Sequence, residues 1–132
     1  MRSKFERRLA KELKDAGVPY TYETYSYEYD EPLRKNRARC LHCGSTDLVR
    51  TGWYTPDFFF KDGHVIEAKG RFTAADRRKH LSVREAHPDL NIKFVFMSDN
   101  KIHKNSKTHY SDWCMENDFD FSIGTFKQKW LK

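Results

Sequence analysis

Hydrophobic residues near the amino terminus repeat with the period of an α-helix. The apolar positions on this stripe are Phe5, Leu9, Leu13 and Ala16. Ser3 precedes the stripe as a typical N-cap, with Glu6 three residues later as its capping-box partner. Gly17 follows the last apolar position and is typical of a helix end. The pattern therefore predicts an amphipathic first helix whose remaining surface is charged.

Alternation of apolar and polar residues predicts strands farther along the chain. We expect extended structure over residues 20–29, 91–97 and 119–123, and a β-hairpin over residues 54–69. The tyrosines of the first segment change parity near Thr24, which indicates a bulge or a change of the buried face. We expect this tyrosine face to pack in the core rather than to stack on bases.

Two further helices are predicted from capping residues and periodicity. One spans residues 74–86, with Thr73 as its N-cap and Pro88 after its end, and a short one spans residues 111–117. The order α-β-(insert)-β-β-α-β-α-β predicts an α/β fold with a mixed β-sheet flanked by helices. The tryptophans that we expect in the core or at a dimer interface are Trp53, Trp113 and Trp130.

The length and charge of the chain limit the classes of protein to consider. The 132 residues suit a single domain over 1–132, because domains run about 100–200 residues. Lys and Arg number 25 against 19 Asp and Glu, and this net charge of +6 favours a polyanionic partner such as nucleic acid. No apolar run approaches the ~18 residues of a membrane span, and the basic start is unlike a secretory signal. Because the 3 cysteines are an odd count, we expect a reducing cytoplasm, and no membrane partner.

Residues 30–53 interrupt the pattern with a different composition. They hold a basic run and a Cys-x-x-Cys pair, and we interpret them as an exposed insertion or a connection between subunits. The basic residues of this segment that could meet DNA are Arg34, Lys35 and Arg37. Cys40 and Cys43 form half of a tetrahedral zinc site, which histidines of the same chain or the same pair in a second subunit could complete. Free thiols in a loop are the third alternative.

Residues 56–69 carry the candidate chemistry, as two apolar strands joined by a Lys-Asp-Gly loop. A two-residue Asp-Gly turn would direct Asp57 and Glu67 to opposite faces of the hairpin. A three-residue loop with Gly63 in the left-handed region would instead place Asp57 opposite Glu67, and Lys69 on the same face. Glycine in third place favours the second register.

Two facing carboxylates repel each other, and a divalent cation between them would relieve the repulsion. Hard oxygen ligands with no His or Cys nearby suit Mg²⁺ or Mn²⁺, which can hold a phosphate oxygen and lower the pKa of a bound water. Lys69 could stabilise developing negative charge or orient the water. An ordinary charged and solvated hairpin face is the alternative.

Longer stretches around this hairpin resemble a known family. Pro56-Asp57 followed by Glu67-Ala68-Lys69 is similar to the motif of PD-(D/E)xK nucleases. The chain as a whole resembles the bacteriophage endonuclease I family of Holliday-junction resolvases. The stretches that carry the resemblance are RSKFERRLAKELKDAG, YTPDFFF, GHVIEAKGRF, ADRRKHLSVREAHPDLNIKFVF and YSDWCMENDFDF. Because they cover nearly the whole chain, they are more specific than the nuclease motif alone.

The resemblance implies a PD-(D/E)xK core in a domain-swapped homodimer that resolves four-way and other branched DNA by paired nicks with Mg²⁺ or Mn²⁺. Asp57 and Glu67 would be metal ligands together with the backbone carbonyl of Ala68, and Lys69 would be the catalytic lysine. Glu6 would be a further catalytic acid near a second metal, supplied by the partner of the chain that supplies Asp57. A phage-encoded protein would act in the host cytoplasm. The alternatives are a sequence-specific nicking or homing endonuclease on the same fold and a non-catalytic DNA-binding module.

Basic residues near the hairpin are candidates for contact with DNA phosphates. The helix after the hairpin opens with Arg77, Arg78, Lys79 and His80, and a later loop holds Lys101, Lys104 and Lys107. A solvated helix face is the alternative for the first group. No element is suited to reading base edges, which favours recognition of DNA shape. Residues 30–53 depart from the family, which by resemblance has a shorter connection and no Cys pair there.

Overall fold

A computed structural model describes residues 3–32 and 49–131 of the chain. The helices are α1 (Lys4–Asp15), α2 (Ala74–Ala86) and α3 (Tyr110–Glu116), and a short 3₁₀ turn covers Gln128–Trp130. The strands are β1 (Tyr20–Tyr22), β2 (Tyr27–Pro32), β3 (Val49–Tyr54), β4 (Phe58–Phe60), β5 (Val65–Lys69), β6 (Ile92–Phe96) and β7 (Asp120–Ile123). Each expected helix is present. Within the described ranges, no helix is both long and apolar enough to cross a bilayer.

Five of the strands form one mixed sheet in the order β1-β4-β5-β6-β7. The strands β1, β4 and β5 pair antiparallel, whereas β5, β6 and β7 pair parallel, with α2 and α3 in the two parallel connections. A separate antiparallel ribbon pairs β2 with β3, and its last pair before the segment 33–48 is Pro32 opposite Val49. The expected α/β fold with a mixed sheet is therefore confirmed.

The tyrosine-rich segment forms two strands rather than the single strand predicted over residues 20–29. The chain leaves the large sheet after β1 and enters the ribbon with β2, and Glu23 at the break has a φ of +47°. The amide of Glu23 donates to the carbonyl of Asp57 at 3.0 Å, which ties the break to the start of β4. Tyr29 is buried whereas Tyr25 is 63% exposed, so the expected core face is present only in part. The change of parity therefore marks a change of sheet.

Local sequence signals set the ends of the helices. The amide of Glu6 donates to Oγ of Ser3 at 3.0 Å, as expected for an N-cap. Gly17 ends α1 with a φ of +69°, a conformation that favours glycine. A complete capping box between Thr73 and Asp76 begins α2.

The large sheet separates two groups of buried side chains. The group beside α2 and α3 includes Tyr29, Tyr54, Val65, Phe72, Val83, Ile92, Phe94, Phe96, Tyr110, Trp113, Cys114 and Phe119. The group beside α1 includes Phe5, Leu9, Ala10, Leu13, Phe58, Phe60, Ile66, Val95, Phe126 and Trp130. Alternation along β5 explains the division, since Val65 and Ile66 point to opposite faces. Glu67 shares the parity of Val65 and so faces α2.

The tryptophans and the described cysteine differ in their surroundings. Trp113 and Trp130 are 9% and 5% exposed and pack in the core, as expected. Trp53 is 61% exposed, so the core position is wrong for this residue, and its alternative position at a dimer interface stays a prediction. Cys114 is buried, and burial raises the pKa of its thiol to about 12. A buried thiol with such a pKa is suited to packing and not to binding zinc.

Candidate active site

The β4–β5 hairpin has the three-residue loop that brings Asp57 opposite Glu67. The amide of Phe60 donates to the carbonyl of His64 at 3.1 Å, and the amide of Gly63 donates to the carbonyl of Phe60 at 3.1 Å. Gly63 has a φ of +92°, which favours glycine. Continuing this register away from the loop sets Asp57 against Glu67. The register that glycine favours is confirmed, and the two-residue turn is excluded.

Both carboxyl groups of this pair are buried. Asp57 is 8% exposed and Glu67 is 6% exposed. The amide of Ala68 donates to Oδ2 of Asp57 at 2.8 Å, and the two carboxyl groups lie close enough for each to shift the pKa of the other. The alternative of an ordinary solvated hairpin face is therefore wrong.

The electrostatics of the pair favour a cation. Burial raises the pKa of Glu67 well above its ordinary value, and the neighbouring charge of Asp57 raises it further. Burial also raises the pKa of Asp57, although the neighbouring Glu67 and the hydrogen bond from the Ala68 amide act in the opposite direction. Lys69 lowers the pKa of both carboxyl groups. Two adjacent buried acids cannot both lose their protons cheaply, so a positive ion bound beside them would favour the charged form of both.

Two more carboxylates join this pair at the end of the sheet. One oxygen from each of Glu6, Glu23 and Asp57 lies within 4.8 Å of the others. The hydroxyl of Tyr22 donates to the carboxylate of Glu6, and burial together with that contact raises the pKa of Tyr22. The hydroxyl of Ser3 donates to the same carboxylate at 3.3 Å. Glu6 therefore lies beside Asp57 within a single chain, at the start of α1.

Glu23 is the acidic residue that sequence reasoning missed. In the sequence it falls within a single long predicted strand, where its carboxylate has no expected relation to the hairpin. Its position depends on the break between β1 and β2 and on the hydrogen bond from its amide to the carbonyl of Asp57. The sequence signal that could have located it is the parity change of the tyrosines at that point.

A cavity of about 290 Å³ opens over these residues. The charged residues on its walls are Glu6, Glu23, Asp57, Glu67, Lys69 and Lys79. Lys69 is held at the start of α2, where its Nζ lies 3.4 Å from Oδ1 of Asp76. Because acids outnumber lysines on the walls, the cavity attracts cations, and a phosphate group would enter it together with them.

Two buried polar side chains lie behind Glu67. His80 is 1% exposed, its Nε2 lies 3.9 Å from Oε2 of Glu67, and burial lowers its pKa to about 3, so the ring is neutral. The Tyr54 hydroxyl has no hydrogen-bond partner of good geometry in the described part of the chain, although burial and then Glu67 raise its pKa. The rings of Tyr54, Phe72 and Phe94 enclose His80. The prediction that His80 contacts DNA is therefore wrong for this position.

The other basic candidates lie in three kinds of surroundings. Arg77 donates to the carbonyl of Phe72 at 2.8 Å, and the Arg78 guanidinium lies 3.7 Å from Glu31, so both also support the fold. Lys79 borders the cavity. The exposed loop lysines are Lys101, Lys104 and Lys107. The predicted residues that lie outside the described part of the chain are Arg34, Lys35, Arg37, Cys40 and Cys43.

Comparison with known proteins identifies similar phage enzymes. A family model described as "Phage endonuclease I" matches residues 45–132. Endonuclease I of Escherichia phage T7 is 32% identical over 132 residues, which cover 99% of this chain and 78% of that protein. Endodeoxyribonuclease 1 of Enterobacteria phage T3 is 37% identical over 114 residues, which cover 86% of this chain and 64% of that protein. The family match includes the whole hairpin with Asp57 and Glu67.

Proposed function

This chain belongs to the phage endonuclease I family and is an endodeoxyribonuclease, and we propose that its substrate is branched DNA. It resolves four-way and other branched junctions by paired nicks, through metal-assisted hydrolysis of phosphodiester bonds. The observation that carries this proposal is the hairpin register that joins two buried carboxyl groups, Asp57 and Glu67, with Lys69 on the same face. A PD-(D/E)xK core over residues 1–132 is part of the proposal.

The donor set supports binding of Mg²⁺ or Mn²⁺. The cluster offers carboxylate oxygens, and hard oxygen ligands suit these two ions. Asp57, Glu67 and the backbone carbonyl of Ala68 would hold one ion, and Glu6 together with Asp57 would hold a second. When bound, such ions stabilise charge on the phosphate and lower the pKa of a water molecule. The raised pKa of Asp57 and of Glu67 supports this assignment, because a cation removes the cost of two adjacent buried charges.

Lys69 is the catalytic lysine of the proposal. Its ammonium group borders the cavity and is held by Asp76, whose other carboxylate oxygen accepts the capping hydrogen bonds of Thr73. The start of α2 therefore fixes a positive charge beside the position of the scissile phosphate. Such a charge stabilises the negative charge that develops on the phosphate during hydrolysis, without reorganisation during the reaction.

Basic side chains at the border of the cavity and beyond it bind the DNA arms in this proposal. They are Arg77, Arg78 and Lys79 on α2, the loop residues Lys101, Lys104 and Lys107, and, in residues 30–53, Arg34, Lys35 and Arg37. Their contribution is sequence-independent, since each phosphate contact releases counterions. The proposed site of action is the cytoplasm of the infected cell, where a phage-encoded enzyme meets its DNA substrate.

A domain-swapped homodimer with shared active sites is the proposed assembly. Residues 3–32 pack on residues 49–131 through the pairs β1–β4 and β2–β3, and the segment 33–48 joins the two parts. If this segment, within the insertion 30–53, crosses to a partner, the same contacts form between chains. Glu6 of one chain then lies beside Asp57 of the other, and two active sites face one junction.

A structural Zn²⁺ bound by Cys40 and Cys43 belongs to the same proposal. Two copies of the crossing segment would provide four thiolates, which is the ligand number of a structural zinc site. Elemental analysis of the purified protein, before and after Cys40→Ser, measures whether zinc is present and depends on this pair.

A cleavage assay on matched substrates tests the proposal. Purified protein is mixed with a labelled immobile four-way junction, and separately with linear duplex of the same arm sequence, with and without Mg²⁺. Glu67→Ala is the matched variant, and Asp57→Ala is a second one. We expect paired nicks near the branch only with Mg²⁺ and only in the wild type. Both variants are expected to bind the junction, because most phosphate contacts lie outside the carboxylate pair.

Two other results would replace the proposal. Cutting of the linear duplex at one sequence would indicate a sequence-specific nicking or homing endonuclease. Tight binding to both substrates with no nicks, unaffected by Mg²⁺ and by Glu67→Ala, would indicate a DNA-binding module.

A further inference from the structure

Trp53 is an exposed aromatic residue at the rim of the candidate active site. It lies on β3, its side chain is 61% exposed, and it borders the same cavity as Asp57 and Lys69. The next residue, Tyr54, is 1% exposed and forms part of the cavity floor. Successive residues of a strand point to opposite faces, so Trp53 is directed away from the core into which Tyr54 packs.

The fold does not require a tryptophan at this position. Trp53 lies opposite Glu28 in the ribbon, and Glu28 is exposed as well. The opposite face of the ribbon, with Tyr29 and Tyr54, provides the contacts with the core. A single exposed apolar residue needs no special explanation by itself. The position of Trp53 beside four carboxylates and two lysines is what distinguishes it.

We infer that Trp53 stacks on a base of the substrate strand next to the phosphate that is cleaved, an inference that rests on the proposed function. Successive phosphates of one strand are about 3.4 Å apart along the helix axis, so the neighbouring bases lie within reach of an indole ring at the rim of the cavity. Every base offers a flat π surface, so stacking requires no particular sequence. An indole in this place therefore adds affinity without adding base specificity.

Stacking on Trp53 also favours branched over linear DNA. Bases inside a continuous duplex are already stacked on both sides, and exposing one of them costs free energy. Bases at a branch point have an open face, so the indole can cover it at lower cost. The lysine beside it, Lys79, lies at the same cavity and balances the phosphate charge. Trp53 is therefore a specificity-determining residue for branched substrates.

Substitution of Trp53 tests this inference through binding. Trp53→Ala and Trp53→Phe are compared with wild type on a four-way junction and on linear duplex, in EDTA so that no cleavage occurs. Loss of base stacking is expected to weaken junction binding by roughly 5- to 100-fold in Trp53→Ala, with a smaller effect on duplex. Trp53→Phe keeps a ring and is expected to recover most of the affinity. Met115→Ala, an equally exposed apolar residue on α3, is the matched control and is expected to bind as wild type.

Fluorescence provides a second readout that does not depend on folding of a variant. Trp113 and Trp130 are buried, so iodide is expected to quench mainly Trp53 in the free protein. Binding of a four-way junction is expected to protect it, and a 2-aminopurine base placed beside the cleaved phosphate is expected to lose emission on stacking. The inference would be overturned if iodide quenched Trp53 less as the concentration of DNA-free protein rose. That result would mean that a second chain covers Trp53.

The outcomes separate this inference from the proposed function. Unchanged junction affinity in Trp53→Ala, with wild-type protein still cutting junctions, overturns the stacking role and leaves the proposed function intact. Equal loss of affinity for junction and duplex retains the stacking contact but overturns its role in selectivity. A wild-type protein that cuts no branched DNA contradicts the proposed function, whichever way the fluorescence responds.

Discussion

The amide of Ala68 donates a hydrogen bond to Oδ2 of Asp57 at 2.8 Å, across the open end of the β4–β5 hairpin. This bond holds the carboxyl group of Asp57 inside the cavity, against the buried Glu67, rather than turned to solvent. The acids are therefore arranged for a cation before any cation binds. Such an arrangement costs stability in the metal-free protein, because both groups are desolvated and close together.

Replacing Glu67 with Gln should reveal that cost. In EDTA, Glu67→Gln is expected to raise the free energy of unfolding by about 1 kcal/mol, because a neutral amide replaces one of two adjacent buried acids. Excess Mg²⁺ is expected to stabilise the wild type and to leave the variant nearly unchanged. Urea unfolding with and without Mg²⁺ measures both effects. Glu116→Gln, on an exposed part of α3, is the control, and equal Mg²⁺ stabilisation of all three proteins would contradict the metal assignment.

The contact between Lys69 and Asp76 provides a second test. Asp76→Asn keeps an oxygen for the capping hydrogen bonds of α2 but removes the charge that holds the ammonium group 3.4 Å away. We expect its cleavage rate to fall roughly 10- to 100-fold while junction binding stays within a few-fold of wild type. Thr73→Ala removes the cap but keeps the charge, so it is expected to lose about 1 kcal/mol of stability with little loss of rate. Rates that follow stability in both variants would mean that Asp76 acts only as a cap.

Local signals account for the parts of the fold that the sequence predicts well. The amino-terminal ends of α1 and α2 depend on contacts within a few residues. These contacts join Ser3 to Glu6 and Thr73 to Asp76. The hairpin register is equally local, because one glycine, Gly63, selects between two loops. For this reason the opposed carboxylates could be predicted from the amino-acid sequence alone.

The parts that the sequence does not predict depend on distant segments. Glu23 reaches the cavity because the chain changes from the large sheet to the ribbon after β1. In the sequence, His80 follows Lys79 in a basic run and is therefore expected to contact DNA. The packing of α2 instead places its ring among Tyr54, Phe72 and Phe94. A helical pattern shows which residues share a face, whereas the contacts between distant elements decide which face is buried.

The hairpin loop should be sensitive to the residue at position 63. Gly63 has a φ of +92°, and a side chain there would meet no atom within 4 Å, so any cost of substitution is conformational. Gly63→Ala is expected to lose about 1 kcal/mol of stability, and Gly63→Asn less, because asparagine tolerates this region better. Cleavage measured well below the unfolding temperature should remain near wild type, since Phe58 and Ile66 still fix the register. Thermal unfolding and cleavage rates check both statements, and a larger loss for Asn than for Ala would contradict the conformational explanation.

Asp120 should make the stability of the protein depend on pH in the acid range. Burial alone would raise its pKa, but hydrogen bonds from Lys127 and Trp130 at 2.9 Å, with the charges of Lys127 and Lys93, outweigh burial and lower it. Because the pKa is lower in the folded protein than in the unfolded chain, this stabilisation is present above the ordinary Asp pKa of about 3.9 and disappears as the pH falls through the folded value. The difference in unfolding free energy between wild type and Asp120→Asn should therefore be largest near neutral pH and shrink on acidification.

Urea unfolding at a series of pH values measures this difference in unfolding free energy, with the exposed Asp89→Asn as the control. A difference that stays constant down to about pH 3 would show that Asp120 stabilises the fold through packing and not through its charge.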